Sequence, residues 1–191
     1  MTTAAVLRPR VLADVIPGGV IRDVALVAAV AAFTGAAAQF AVPLPFTPVP
    51  LSLQTFTVLL SAAALGPWRA GAAMGLYLVA GVAGVQWFSE QRTGFAFPSF
   101  GYIIGFVLAA LIVGTLARRG ADRRAGSAVV TMVIGNLAIY AVGVPYLALA
   151  IGVSLPEAVA LGALPFVIGD GLKIVLAAGL LPAAWRLVDR R

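Results

Sequence analysis

Cysteine and histidine are both absent from the 191 residues. Without cysteine there is no disulfide framework, no thiolate metal site and no thiol nucleophile. Without histidine the chain lacks the commonest general base and the commonest metal ligand. Charge is scarce as well: 10% of residues carry one, against about 25% in an average soluble domain. No G-x-x-x-x-G-K-[ST] occurs, so the chain does not itself bind ATP through a P-loop, and neither G-x-S-x-G nor H-E-x-x-H is present. These absences argue against a hydrolase or transferase. Any ATP that drives a process here is hydrolysed by another chain.

Apolar residues fill the space that charge leaves. They make up 62% of the chain, more than a soluble core of this size can bury while a polar exterior stays wet. The charge-free stretches are long: Asp23 to Arg69, Arg69 to Glu90, Arg92 to Arg118, Arg124 to Glu157 and Lys173 to Arg186. A membrane-spanning helix needs about 20 mostly apolar residues, so each stretch holds one crossing and the first holds two. The reading is an all-α integral membrane bundle of six transmembrane helices in a single domain spanning 1–191. The helices are placed at about 22–40, 53–65, 70–85, 101–117, 127–150 and 158–185, after a cytoplasmic segment 1–20 that does not read as a cleavable signal.

Three segments break the apolar pattern. Four prolines, Pro43, Pro45, Pro48 and Pro50, predict an extended loop, since each lacks an N–H and restrains the residue before it. Residues 86–100 mix Trp87, Phe88, Phe95 and Phe97 with Glu90, Arg92, Gly94 and Pro98. Ser154-Leu155-Pro156-Glu157 reads as a third loop. Interruptions are also expected at Gly143-Val144-Pro145 in the fifth helix and near Pro165 in the sixth. With six helices, 11 of the 13 basic residues fall on one side, and cytoplasmic loops carry the Lys/Arg excess. Both termini are therefore expected in the cytoplasm and the three irregular segments on the outer face. There they are either ordinary surface loops or a lid over an outward pocket. The net charge of +6 is this topology signal rather than a nucleic-acid footprint.

Only Asp170 and Lys173 lie well inside an apolar run. Intramembrane charges usually face the bundle interior and mark substrate or ion paths. Three residues apart, they share a helical face, either as a packing lock or as a binding pair. Gly169 and Gly171 flank the aspartate and permit close approach. Chemically the pair offers one acceptor and one donor, matching a small ligand with adjacent N–H and C=O groups such as a cyclic urea. Arg92 is the one outer-side cation, able to meet an anionic group, pair with Glu90 or sit in water. Gln54, Thr55, Tyr77, Gln86, Tyr102, Asn136 and Tyr140 are polar groups in apolar surroundings that either hydrogen-bond between helices or line a ligand. Ala25, Ala28, Ala29, Ala32 and Ala36 give overlapping small-x-x-x-small spacings, which serve either internal packing or a partner subunit.

Four stretches taken together resemble one family. They are Pro48-Val49-Pro50-Leu51-Ser52-Leu53-Gln54-Thr55, Gly101-Tyr102-Ile103-Ile104-Gly105-Phe106, Gly143-Val144-Pro145-Tyr146-Leu147 and Leu164-Pro165-Phe166-Val167-Ile168-Gly169-Asp170-Gly171-Leu172-Lys173. The family is BioY, the biotin-specific substrate-binding (S) component of energy-coupling-factor (ECF) transporters, and the last stretch resembles its P-F-x-x-G-D-x-x-K segment. The resemblance implies a six-helix S-component fold in a prokaryotic plasma membrane and uptake of biotin as transported ligand, with no cofactor. It also implies a transmembrane T component, met through Ala25, Ala29 and Ala32, and two ATPase subunits. Asp170 and Lys173 would then hold the ureido ring and Arg92 the valerate carboxylate, with Gln54, Gln86, Tyr77 and Tyr140 as further lining. The segment Gly84-Val85-Gln86-Trp87-Phe88 to Phe97-Pro98-Ser99-Phe100-Gly101-Tyr102 departs from the family's usual G-x-P-V-F and G-P-T-G-G-Y. An S component for another vitamin, or a structural bundle with no ligand, are the other readings.

Overall fold

The computed structural model describes residues 11–190. Positions 1–10 of the N-terminal segment, with Arg8 and Arg10, and the terminal Arg191 lie outside the described residues. A 3₁₀ turn at Leu12–Val15 precedes α1, Val20–Gln39. A hairpin follows, β1 at Ala41–Leu44 and β2 at Thr47–Ser52. Next come α2 (Gln54–Leu65), α3 (Pro67–Val82), a short turn at Ser89–Gln91 and α4 (Phe100–Arg118). The chain ends with α5 (Ala125–Ile151), α6 (Leu155–Gly162), a 3₁₀ turn at Leu164–Phe166 and α7 (Val167–Asp189).

Two departures from the sequence expectation have physical causes. The proline-rich stretch is not a plain loop but an antiparallel ribbon, so the molecule is helical with a small sheet rather than all-α. Ala41 lies opposite Ser52, Val42 opposite Leu51 and Leu44 opposite Thr47, with the register slipping around Pro43. A two-stranded ribbon is all edge, so a proline can turn its donorless nitrogen away from the ladder. Thr47 and Val49 point inward while Pro48 faces out, and the Thr47 hydroxyl donates to the Leu161 carbonyl at 2.7 Å.

The second departure is in α5, which runs unbroken through Pro145 for 27 residues. Proline inside an apolar helix is tolerated where neighbouring groups re-satisfy the freed carbonyl. Gly143 is there for packing: a Cβ at that position would lie 2.5 Å from the Tyr102 ring. Tyr102 in turn donates to the Gly162 carbonyl at 2.8 Å, pinning the end of α6 against α4 and α5. The break expected near Pro165 does occur, dividing the last segment into α6 and α7.

Among the described residues four segments are long and apolar enough to cross a membrane: α1, α4, α5 and the Leu155–Asp189 stretch. α2 and α3, with 12 and 16 residues, fall short of the usual length. α4 forms the centre, packed against α2, α3 and α5. A Cβ at Gly114 would sit 2.5 Å from the Pro67 nitrogen, so α4 lies directly on the α2–α3 turn. Large apolar side chains cover the outside, among them Ile21, Val24, Phe33, Leu149, Ile168 and Leu187. Water is a poor solvent for such a surface and lipid a good one.

At the end of the bundle that carries the basic turns, ion pairs fasten the chain. Arg69 donates to Asp14 at 2.8 Å and Asp23 at 2.9 Å, and Arg22 reaches Asp23 at 2.7 Å. Between α4 and α5, Asp122 is fully buried, accepts from the Trp185 indole at 2.6 Å and thereby ties α7 to this turn. The Arg123 guanidinium stacks on the same indole at 4.2 Å. Burial raises the Asp122 carboxyl above the ordinary 3.8, and the Trp185 hydrogen bond and the Arg123 charge do not cancel that effect.

A raised acid favours the fold while neutral, so the Asp122 contribution is best below the unfolded value. It is lost as pH climbs from 3.8 to the raised folded value. Asp122→Asn keeps an acceptor for Trp185 and cannot ionise. Its thermal midpoint in detergent, relative to wild type, should rise across that window and stay level or higher at neutral pH. A variant less stable at pH 7, or a difference independent of pH, would contradict this.

Candidate functional site

The end of β2, the start of α2, the middle of α5 and the first turn of α7 meet at one point. Pro165 marks the place: α6 ends at Gly162, a 3₁₀ turn spans Leu164–Phe166, and α7 begins at Val167 with Asp170 in its first turn and Lys173 three residues on. The two side chains are 6% and 13% exposed, with Nζ and Oδ1 3.1 Å apart. Lys173 also donates to the Ser52 carbonyl and the Thr55 hydroxyl, each at 2.8 Å. Thr55 passes its own hydrogen to Asp170 Oδ1 at 3.4 Å. Tyr140 donates a short hydrogen bond to Asp170 Oδ2. All three ammonium hydrogens and both carboxylate oxygens therefore have partners.

This polar knot forms one end of a cavity enclosed by β2, the near ends of α2, α4 and α7 and the middle of α5. Gln54, Thr55 and Tyr140 line it beside the charged pair. Phe97, Tyr102, Phe106 and Phe166 give it aromatic walls, and Ser89 and Ser99 add hydroxyls towards the aromatic loop. The arrangement suits a ligand with a flat polar head that both donates and accepts, followed by an apolar body. Such a head takes its hydrogen bonds by displacing those the knot makes with itself.

The other residues singled out in the sequence take different places. Gln54 is buried and held at both ends of its amide: Nε2 donates to the Tyr77 hydroxyl at 2.7 Å, and Oε1 accepts from Ser89 at 2.8 Å and Ser52 at 3.2 Å. Tyr77 is fully buried behind Gln54, outside the lining, and donates to the Trp87 carbonyl at 3.1 Å. It holds Gln54 rather than facing the cavity. Gln86 is exposed and does not line the cavity. Arg92 pairs with Glu90 at 2.5 Å and lies 5.7 Å over the Phe97 ring, so it reaches the wall from outside without lining it. Ala25, Ala29 and Ala32 all face outward on α1.

Sequence reasoning missed Ser52, Ser89, Ser99, Phe97, Phe106 and Phe166 as lining. Ser52 acts through its backbone carbonyl, which no side-chain pattern reveals. Ser89 follows a buried Phe88 in a turn whose next two residues, Glu90 and Gln91, have φ of 62° and 57°. Nothing in the local sequence marks that conformation. Phe166 was within reach, because it stands next to the proline that ends α6.

Comparisons with known proteins agree on one family. The model described as "BioY family" matches residues 4–190. A "Probable biotin transporter BioY" from Pyrococcus horikoshii is 36% identical over 159 residues, covering 82% of this chain and 91% of that protein. The "Biotin transporter BioY" of Thermotoga maritima is 34% identical over 72% of this chain and 81% of its own length. That of Rhizobium etli is 31% identical over 72% and 78%. Among solved structures, one titled as the S-component for biotin from an ECF-type ABC transporter superposes with a TM-score of 0.77. It covers 87% of this chain and 92% of that chain at 21% identity, a likeness of fold.

A buried ion pair that is broken on one side leaves an uncompensated charge, at about 3–5 kcal/mol. Asp170→Asn and Lys173→Met are each expected to lower unfolding stability in detergent by about that much. The double variant should recover most of the loss, because no lone charge remains. Strictly additive losses in this cycle would mean that the two groups do not depend on one another.

Proposed function

The chain belongs to the BioY family, and on that premise we propose that it captures biotin from outside the cell and delivers it inward as the membrane subunit of an energy-coupling-factor transporter. The observation that carries this reading is the Asp170–Lys173 pair buried at the end of an aromatic-walled cavity. A cyclic urea presents two N–H groups and one carbonyl in a plane. Asp170 accepts from the ring N–H as Tyr140 or Thr55 gives way, and Lys173 donates to the ring carbonyl in place of one present acceptor. The bicyclic body lies along Phe97, Tyr102, Phe106 and Phe166. The valerate carboxylate runs towards the mouth, where Arg92 turns to it from Glu90. Gln54, held by Tyr77 and Ser89, shapes the wall between.

The remaining parts of the reading follow from charge and surface. Six crossings, with α2 and α3 as short spans, put both termini in the cytoplasm and the hairpin and aromatic loop outside, in keeping with the sorting of the arginines. The protein is then a multi-pass component of a prokaryotic plasma membrane. The outward Ala25, Ala29 and Ala32 give α1 a flat face on which a helix of the T component can pack closely. Two ATPase subunits supply the hydrolysis that this chain has no loop to perform. The protein's role is transport, not catalysis.

Equilibrium binding of labelled biotin to the purified protein in detergent tests the reading. Wild type should bind with submicromolar affinity. Asp170→Asn should weaken binding by about tenfold to a hundredfold, since a hydrogen bond to a charged group contributes about 1.5–3 kcal/mol. Absence of saturable binding at micromolar biotin, or an Asp170→Asn variant as tight as wild type, would overturn it.

A further inference from the structure

Asn136 stands on α5 one turn before Tyr140, on the same helical face. It is 7% exposed, and its carbonyl oxygen Oδ1 has no hydrogen-bond partner among the described residues. A buried acceptor left unpaired keeps the full penalty of its lost hydration. Beside it lies a small void between α2, α5 and α7, at the lower limit of the space that one water molecule occupies. Phe56, Leu59, Met132, Ile174 and Ala177 make most of its lining, and Asn136, Thr55 and Lys173 are its polar members. Thr55 and Lys173 also form the floor of the ligand cavity, so the void is the underside of that floor.

The hydrogen count at Lys173 gives this placement a consequence. Its three hydrogens go to Ser52, Thr55 and Asp170. A ligand carbonyl gains one only if an acceptor is released, and a ligand N–H gains Asp170 Oδ1 only if another donor leaves. Thr55 is the residue whose departure serves both. Its hydroxyl accepts from Lys173 and donates to Asp170 at 3.4 Å, the longest bond of the knot. Once displaced from Asp170 and Lys173, the Thr55 hydroxyl needs another acceptor, and the void on the far side of the floor supplies the direction.

We propose that Asn136 is a positioning residue of the ligand site. Through one buried water it takes up the Thr55 hydroxyl when the ligand's N–H and carbonyl claim Asp170 and Lys173. The water accepts from Thr55 and donates to Asn136 Oδ1, so the two groups that would otherwise be left unpaired are satisfied together. Asn136 touches no ligand atom in this arrangement. Its effect appears only when a ligand with a paired donor and acceptor is bound. The inference rests on the biotin reading of the same cavity.

The test is a double-variant cycle on biotin affinity with Asn136→Leu and Thr55→Val, alongside the melting temperature with and without biotin. Asn136→Leu removes the orphaned acceptor and fills the void. The ligand-free melting temperature should hold or rise, while biotin binds about tenfold more weakly and stabilises less. In the Thr55→Val background the hydroxyl is already gone, so adding Asn136→Leu should cost less than a further twofold. Asn136→Ser, which keeps an oxygen and leaves room for water, should restore affinity to within about threefold of wild type. Should the leucine variant not fold, Asn136→Ala carries the same cycle. Additive losses, or a leucine variant that binds biotin as wild type does, overturn the inference and leave the functional reading standing. A wild-type chain that binds no biotin overturns the functional reading first, and this inference with it.

Discussion

Two opposite charges three residues apart, surrounded by apolar helices, set the terms for the rest of the molecule. An ammonium and a carboxylate removed from water are tolerated only when their mutual attraction is joined by hydrogen bonds to every remaining lone pair and proton. Lys173 and Asp170 cannot find those bonds on their own helix. They draw on the Ser52 carbonyl at the end of β2, the Thr55 hydroxyl in the first turn of α2 and the Tyr140 hydroxyl midway along α5. Residues separated by 121 and 118 positions in the chain are thereby joined to one ammonium group. Moving any of these elements unpairs a charge.

The irregular backbone of the molecule follows from the same demand. A continuous helix satisfies its own carbonyls and has none to offer. Ser52 has a free carbonyl because the ribbon ends there and α2 has not yet begun. The break at Pro165 lies next to the start of α7, whose Lys173 reaches the Ser52 carbonyl at the end of the ribbon. Non-helical backbone is tolerated at membrane depth only where protein or a cavity meets its polar groups. Here the ribbon, the Ser89–Gln91 turn and the α6–α7 break gather around one cavity. The apolar outside of α1, α4 and α5 remains regular helix.

How much of this was legible depended on whether the signal was local. The apolar helices were readable from composition, because hydrocarbon imposes a length and a lack of charge on any segment that crosses it. Asp170 and Lys173 stood out for the same reason: a charge in such a run has no cheap explanation. The ribbon was not readable, since four prolines argue against a sheet interior and say little about an isolated two-stranded edge. Nor was the continuity of α5 through Pro145, beside which Gly143 packs on Tyr102 from 41 positions away. Tyr77 and Gln54 looked equivalent as polar groups in apolar surroundings. Only their hydrogen bond shows that one supports and the other faces the cavity. Ser89 carries no mark at all until the turn that aims it at Gln54 is seen.

A knot that is complete in itself has a bearing on selectivity. A guest that only accepts takes a hydrogen from Lys173 and leaves Asp170 or Thr55 with a bond broken and nothing in return. A guest that only donates reaches the spare lone pair of Asp170 Oδ2, but at Oδ1 it displaces Thr55 or Lys173 and offers that donor no acceptor in return. In a site shielded from water, each unpaired group retains its desolvation penalty, and that penalty falls on the wrong ligand alone. Under the proposed function, recognition is an exchange in which the guest replaces each bond it displaces, donor for donor and acceptor for acceptor, within one plane. Aromatic walls contribute affinity to many flat molecules. On the same proposal, discrimination comes from the charged floor, where Lys173 has no hydrogen to spare before a guest displaces an acceptor.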